Sequence, residues 1–190
     1  MATEIECKMS IEPETVTDLY HRIVSFVPRE AKHDSVDKKD LYWGVGQKEQ
    51  ALFRIRESQG GCVVTRKSKE ERSDGLEVNQ EIEFSVEPNS REIHAFFSSL
   101  GYVPLYRKEK RGWVWSVKNL TIELVQVSTL GWFLEMEILI DAHDGLSTDD
   151  ALDELMRVRS ALELDHLPLE GRYYSEMLKE HREGAYELWK

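Results

Sequence analysis

Charged side chains recur in this chain at a spacing of two. Glu4 and Glu6 lead to Lys8, Glu81 is followed by Glu83 and Glu135 by Glu137, while Arg54 and Arg56, then Thr65 and Lys67, repeat the spacing around positive charge. In a β-strand that spacing puts both members of a pair on one face. One such pair describes an ordinary surface strand, but the recurrence describes a sheet with one heavily charged side. If that side is the inside of a closed barrel, the interior is charged. Carboxylate oxygens suit Mg²⁺ or Mn²⁺, and packed carboxylates without a cation repel and raise one another's pKa. Three acid pairs, with Glu123 on a neighbouring strand, therefore point to a metal cluster.

The bases need a partner of their own. Arg54, Arg56, Lys67 and the cluster Arg107, Lys108, Lys110 and Arg111 bring guanidinium forks and ammonium groups that bind phosphoryl oxygens. A ligand held between such cations and metal-bridged carboxylates carries several negative charges. Condensed phosphate fits better than a simple carboxylate, and metal-assisted attack on phosphorus is the matching chemistry.

The elements that position these groups follow from periodicity. After a first strand at residues 3–9, Pro13 and Glu14 mark a helix entry, with Val16, Leu19, Tyr20 and Ile23 at helical spacing and Pro28 as the stop. Residues 31–49 read as a strand tail at Asp40–Trp43 and a loop ending in Gly44 and Gly46. Residues 52–57 and 62–67 form a hairpin about Gln59-Gly60-Gly61. A charged loop over 68–77 leads into a strand from Leu76 to Val86, in which Ile82 and Phe84 face away from Glu81 and Glu83. Ile93, Phe96, Phe97 and Leu100 give a short helix that Gly101 stops. Strands follow at Tyr102–Val117, Leu120–Val127 and Trp132–Ile140. A helix begins near Ser147, with Asp150 three residues on as a capping-box variant, and a short helix over Tyr173–His181 ends the pattern. The expected fold is thus β-rich α+β, with about eight mostly antiparallel strands in a single domain over residues 1–190.

Composition limits the function. Lys plus Arg number 25 against 36 Asp plus Glu, a net charge of −11. Such a chain is repelled on average by nucleic acid and anionic membranes, so neither is an expected partner. Cys7 and Cys62, each in a strand beside apolar residues, read as a reduced, buried pair. With no apolar run of signal or membrane-spanning length, the expected location is the cytoplasm. The six histidines have no metal-binding spacing. Trp43, Trp113, Trp115 and Trp132 could stack on a base, although the alternation of Trp113 and Trp115 reads more simply as barrel packing, and Trp189 as terminal packing.

In their order along the chain, Glu4-x-Glu6-x-Lys8, Arg54-x-Arg56, Thr65-x-Lys67, Glu81-x-Glu83, the bases at 107–111, Glu123 and Glu135-x-Glu137 resemble the CYTH, or triphosphate tunnel metalloenzyme, superfamily. The resemblance implies an eight-stranded antiparallel β-barrel forming a tunnel, with Mg²⁺ or Mn²⁺ and a triphosphate-bearing substrate inside. Leu130–Glu137 and Tyr173–Leu178 look like segments of its class IV adenylyl cyclase (CyaB-like) branch. Two departures stand out: Glu123 sits where an aspartate is usual, and Lys108-x-Lys110 fits a basic pair only with lysine for arginine, while Arg111 lies one residue out of phase.

Carried over residue by residue, the resemblance gives Glu4, Glu6, Glu123, Glu135 and Glu137 as metal ligands, supported by Glu81 and Glu83. Lys8, Arg54, Arg56, Lys67, Lys108, Lys110 and Arg111 would bind phosphates. No covalent nucleophile is implied; a metal-activated hydroxyl or water attacks. The leading expectation is cyclisation of ATP to cyclic AMP and pyrophosphate. Hydrolysis of thiamine triphosphate or inorganic triphosphate is the alternative enzyme, and a noncatalytic binding protein for phosphorylated metabolites the alternative class. A homodimer is compatible with all three.

Overall fold

Period-two alternation decides the architecture. The computed structural model describes residues 2–46, 51–58, 61–70, 76–86, 90–140 and 145–180. Its strands are β1 (Ala2–Ile11), β2 (Lys32–Val45), β3 (Phe53–Ser58), β4 (Gly61–Glu70), β5 (Leu76–Val86), β6 (Tyr102–Val117), β7 (Leu120–Val127) and β8 (Gly131–Ile140). They close into a barrel in the order β1-β5-β4-β3-β2-β6-β7-β8, with every neighbouring pair antiparallel and β8 paired back onto β1. Closure leaves no sheet edge unpaired.

The main apolar core lies outside this wall. Ile5, Cys7 and Met9 point outward from β1 and join Trp115, Ile122, Leu124, Leu134 and Met136 from β6, β7 and β8. Leu19 and Ile23 of α1 (Val16–Phe26) and Leu155 and Val158 of α3 (Thr148–Ala161) cover them. Ile93 and Phe97 of α2 (Ser90–Ser99) cover Trp43, Ile55, Cys62 and Val64 on another part of the outer face. Helices thus bury much of the apolar outside, although Ile82 and Phe84 on β5 stay about half exposed, and the inside is free to be polar. At positions sharing the inner face with the charged pairs, Val36, Val125, Val127 and Phe133 form an apolar cluster, with Tyr174 and Met177 of α4 (Tyr174–Glu180) packed on it.

Several boundaries differ from expectation. β2 runs unbroken over 14 residues where the sequence shows only a tail at Asp40–Trp43. Its first half is exposed on one face and lined with charge on the other, so apolar alternation never signals it. β4 continues to Glu70 and takes in part of the presumed loop. Ser58 pairs with Gly61 across the hairpin, whose turn residues Gln59 and Gly60 lie outside the described residues, as do His143, His181 and Trp189. α3 begins as the capping reading requires: the Ser147 hydroxyl accepts from the Asp150 amide at 3.1 Å. Cys7 and Cys62 are buried and unbridged, in separate apolar clusters. Among the described residues, no helix is long and apolar enough to cross a membrane.

Where β6 meets β7, the wall is too tight for a side chain. A Cβ at Gly112 would come 2.1 Å from the Leu124 carbonyl oxygen and 2.9 Å from the Val125 Cα, both backbone atoms that cannot swing aside. Gly112→Ala must therefore push β6 and β7 apart, and is expected to cost about 1–3 kcal/mol, the usual penalty for overpacking. Urea denaturation measures it; an unchanged midpoint would contradict the close approach.

Candidate functional site

The inner faces of the strands enclose a cavity of about 360 Å³, lined by seven carboxylates and seven cationic side chains. The acids are Glu4, Glu6, Glu81, Glu83, Glu123, Glu135 and Glu137; the bases are Lys8, Lys38, Arg54, Arg56, Lys67, Lys108 and Lys110. Register brings them together across strands: Glu6 lies opposite Glu137, Lys8 opposite Glu135, Glu123 opposite Glu135, and Lys67 opposite Glu81.

Three groups of ion pairs organise the lining. Lys67 Nζ reaches Glu4 Oε1 at 2.8 Å, Glu81 Oε1 at 2.9 Å and Glu6 Oε2 at 3.7 Å. Lys110 bridges Glu135 and Glu123, and Lys38 donates to the other oxygen of Glu123. Asp40, only 1% exposed, anchors the third group. It accepts both arms of Arg56, at 2.6 and 3.0 Å, and lies 3.2 Å from Lys108 and 3.6 Å from Arg54.

Protonation follows these partners. Burial opposes the Asp40 charge, yet Lys108, Arg56 and Arg54 hold its carboxyl well below the usual range. Burial is likewise outweighed at Glu135, where Lys110 and Lys108, with hydrogen bonds from Lys110 and Tyr174, bring it to about 2. Lys67 is raised because Glu6, Glu4 and Glu81 together exceed the burial penalty. Glu137 goes the other way: burial, with Glu4 and Glu6 nearby, pushes it up to about 8. Burial also raises Glu6, with Glu135 and Glu4 adding to it against Lys67. The cavity therefore holds carboxylates that the lysines do not fully compensate.

Of the residues read from sequence, Glu4, Glu6, Lys8, Arg54, Arg56, Lys67, Glu81, Glu83, Lys108, Lys110, Glu123, Glu135 and Glu137 all line this one cavity. Arg111 does not. The β2–β6 register is regular from Lys32 to Tyr42 and shifts only between Tyr42 and Trp43, so Lys108 and Lys110 face inward. Arg111, one residue on, faces the outside, where it lies 3.4 Å from Glu109 and 3.7 Å from Asp37; Arg107 is exposed. The four described tryptophans line no part of the cavity: Trp113 stacks on Trp132, Trp115 on His33, and Trp43 is buried under α2. The cavity's aromatic lining is Tyr42, Phe53, Tyr106, Tyr173 and Tyr174, with Tyr42 and Tyr106 stacked at 4.6 Å. Sequence reading missed these tyrosines and also Lys38 and Asp40. For Lys38, Asp40 and Tyr42 the signal was their period-two series, of which the apolar alternation of Leu41 and Trp43 marks only the end.

A divalent cation fits the donor chemistry here, since the acids supply only hard oxygen and two of them, Glu6 and Glu137, are pushed toward protonation by burial and by neighbouring carboxylates. In the present side-chain arrangement, no three acidic, histidine or cysteine side chains among the described residues converge as a ready metal centre. Lysine ammonium groups lie between the carboxylates, so cation binding requires Lys67 and Lys110 to give way.

The CYTH domain family model matches residues 2–174. Solved structures share the fold. A conserved hypothetical protein from Pyrococcus furiosus is 23% identical, with 91% of this chain and 98% of that chain covered and a TM-score of 0.72. A candidate adenylate cyclase from Vibrio parahaemolyticus is 18% identical, with 93% and 97% covered and a TM-score of 0.69. A Hippeastrum protein, described as a candidate adenylyl cyclase with a dominant triphosphatase activity, is 16% identical over 100% of both chains, with a TM-score of 0.63. A search of curated proteins gives no match.

The crowding at Glu137 has a measurable sign. Its carboxyl ionises near 4.5 when unperturbed and near 8 in the folded, metal-free protein. Between those values the folded state holds an extra proton, so stability falls as pH rises through that window. In EDTA, Glu137→Gln is expected to flatten this loss in urea unfolding measured from about pH 5 to about pH 8. Parallel stability curves for the two proteins would contradict it.

Proposed function

The chain belongs to the CYTH domain family, and from that premise we propose that it is a metal-dependent enzyme acting on a triphosphate-bearing substrate, with conversion of ATP to cyclic AMP and pyrophosphate as its reaction. The observation that carries this reading is the convergence of seven acids and seven bases on one cavity. Those formal charges cancel, 7 − 7 = 0, so the lining by itself does not compensate a polyphosphate. Cations entering with the substrate supply the difference.

Glu4, Glu6, Glu123, Glu135 and Glu137 would hold the cation, Mg²⁺ or Mn²⁺. When bound, it neutralises charge on phosphoryl oxygens and acidifies the attacking hydroxyl. The remaining steps belong to the chain's own residues. Asp40 fixes the guanidinium of Arg56 with two hydrogen bonds and holds Lys108 and Arg54 close by, so these cations are already in place when phosphoryl oxygens arrive. Lys67 and Lys110 release from their carboxylate partners and, with Lys8, neutralise the triphosphate chain. Charge developing on the leaving pyrophosphate is then met by groups that need little reorganisation.

Hydrolysis of thiamine triphosphate or inorganic triphosphate is the second reading, supported by the dominant triphosphatase activity of the similar Hippeastrum protein. The same binding groups serve both reactions; only the attacking oxygen and the phosphorus under attack differ. The proposed location is the cytoplasm, which suits two buried thiols left unbridged.

Product analysis with ATP, thiamine triphosphate and tripolyphosphate in Mg²⁺ or Mn²⁺ separates these readings. Cyclic AMP with pyrophosphate is the expected outcome, whereas orthophosphate without cyclic product establishes the triphosphatase in its place. All three compounds recovered intact would overturn the enzyme. Arg54→Ala is expected to raise KM for the substrate that turns over by roughly tenfold, the scale of one charge-assisted contact.

A further inference from the structure

Tyr174 stands where the two kinds of charge in the cavity meet. Its phenol donates a hydrogen bond to Glu135. Its ring centroid lies 5.2 Å from the Lys8 ammonium, 5.1 Å from that of Lys108 and 5.2 Å from that of Lys110. The lysines come from β1 and β6, the glutamate from β8 and the ring from α4. The ring packs edge-on against Phe133 at 5.1 Å and 87°, and the preceding Tyr173 hydroxyl bonds Asn79 on β5 at 3.0 Å. The start of α4 is thereby tied to β5 and β8, the two strands that flank β1, and Tyr174 is 7% exposed.

Three ammonium groups gathered in one place repel each other, and each ends a flexible four-carbon stem. An aromatic ring attracts cations to its faces without neutralising them. A carboxylate in the same position would pair with the lysines and compete with an incoming phosphate. A ring adds no further anion to Asp40 and Glu135, which already pair with Lys108 and Lys110.

We propose that Tyr174 is a positioning residue with two separable actions: its ring holds Lys8, Lys108 and Lys110 in place for phosphoryl oxygens, and its hydroxyl fixes Glu135 for a divalent cation. The inference rests on the triphosphate reading above and assigns to α4 a part in binding rather than in closure alone. The two actions predict different defects. Tyr174→Leu removes both ring and hydroxyl, whereas Tyr174→Phe removes only the hydroxyl.

Calorimetric titration with tripolyphosphate in EDTA, and with Mn²⁺ in a separate series, distinguishes them. Tyr174→Leu is expected to weaken metal-free tripolyphosphate binding roughly tenfold, the size of cation–π attraction at a desolvated site. Tyr174→Phe is expected to keep that affinity within about twofold but to weaken Mn²⁺ binding roughly tenfold, as loss of a group orienting a metal ligand does. Thermal unfolding checks that the variants fold, and the Mn²⁺ arm on Tyr174→Phe stands even if Tyr174→Leu does not. Wild-type affinities in both variants, or equal loss of metal-free tripolyphosphate binding in the two, would overturn the inference while leaving the triphosphate reading intact. Failure of the wild-type protein to bind tripolyphosphate both in EDTA and with Mn²⁺ present would remove both.

Discussion

Charge taken out of water must be compensated locally, and that requirement shapes the inside of this barrel. Asp40, Lys8, Lys108 and Glu4 are each less than 5% exposed, a degree of burial that an isolated ion does not tolerate. The strands satisfy most of it by register: Lys8 faces Glu135 and Lys67 faces Glu81 on neighbouring strands, and Asp40 serves three cations, while Glu137 is left facing Glu6. A one-residue slip in any strand would turn its charged row outward and its apolar row into the cavity. Register, charge balance and the outer apolar core are therefore one constraint seen from three sides.

That constraint also explains why the helices sit where they do. The barrel interior buries little apolar surface, so stability comes from the outside of the wall, where α1, α3 and α2 cover Ile5, Leu134, Trp43 and their neighbours. The ordinary arrangement of a small barrel, apolar within, is inverted around the cavity. The cluster of Val36, Val125, Val127 and Phe133 keeps an apolar inner patch, and there the chain returns to place Tyr174 against the lysines.

Much of this was legible in the sequence because alternating charge is as periodic as alternating hydrophobicity. The pairs at Glu4, Arg54, Glu81 and Glu135 announced both the strands and their inner face, and strong apolar partners such as Ile5 and Met136 fixed which face was which. β2 was obscure for the reason that makes it useful: it contributes Lys38, Asp40 and Tyr42 to the interior while its opposite face near Asp37 and Lys39 is bare to solvent. Only its second half carries an apolar row, Leu41 and Trp43, so its first half is not read as a strand. Arg111 failed differently. Four bases in five residues leave the phase open, and only the pairing of β2 with β6 selects Lys108 and Lys110. Tyr174 lay in the Tyr173–Leu178 segment that the resemblance marked, but its place in the site was not legible, since its partners lie some 40 to 170 positions away and no local pattern connects them.

The central claim is that acids and bases from distant strands form one internal site for a triphosphate and its cation. A crystal structure with Mn²⁺ and tripolyphosphate tests it most directly, because anomalous scattering locates the metal independently of the phosphates. The account predicts manganese among Glu4, Glu6, Glu135 and Glu137, with the phosphate chain running along Arg54, Lys108 and Lys110. Manganese and tripolyphosphate found only on the outer surface, with Lys67 and Lys110 still paired to their glutamates, would contradict it.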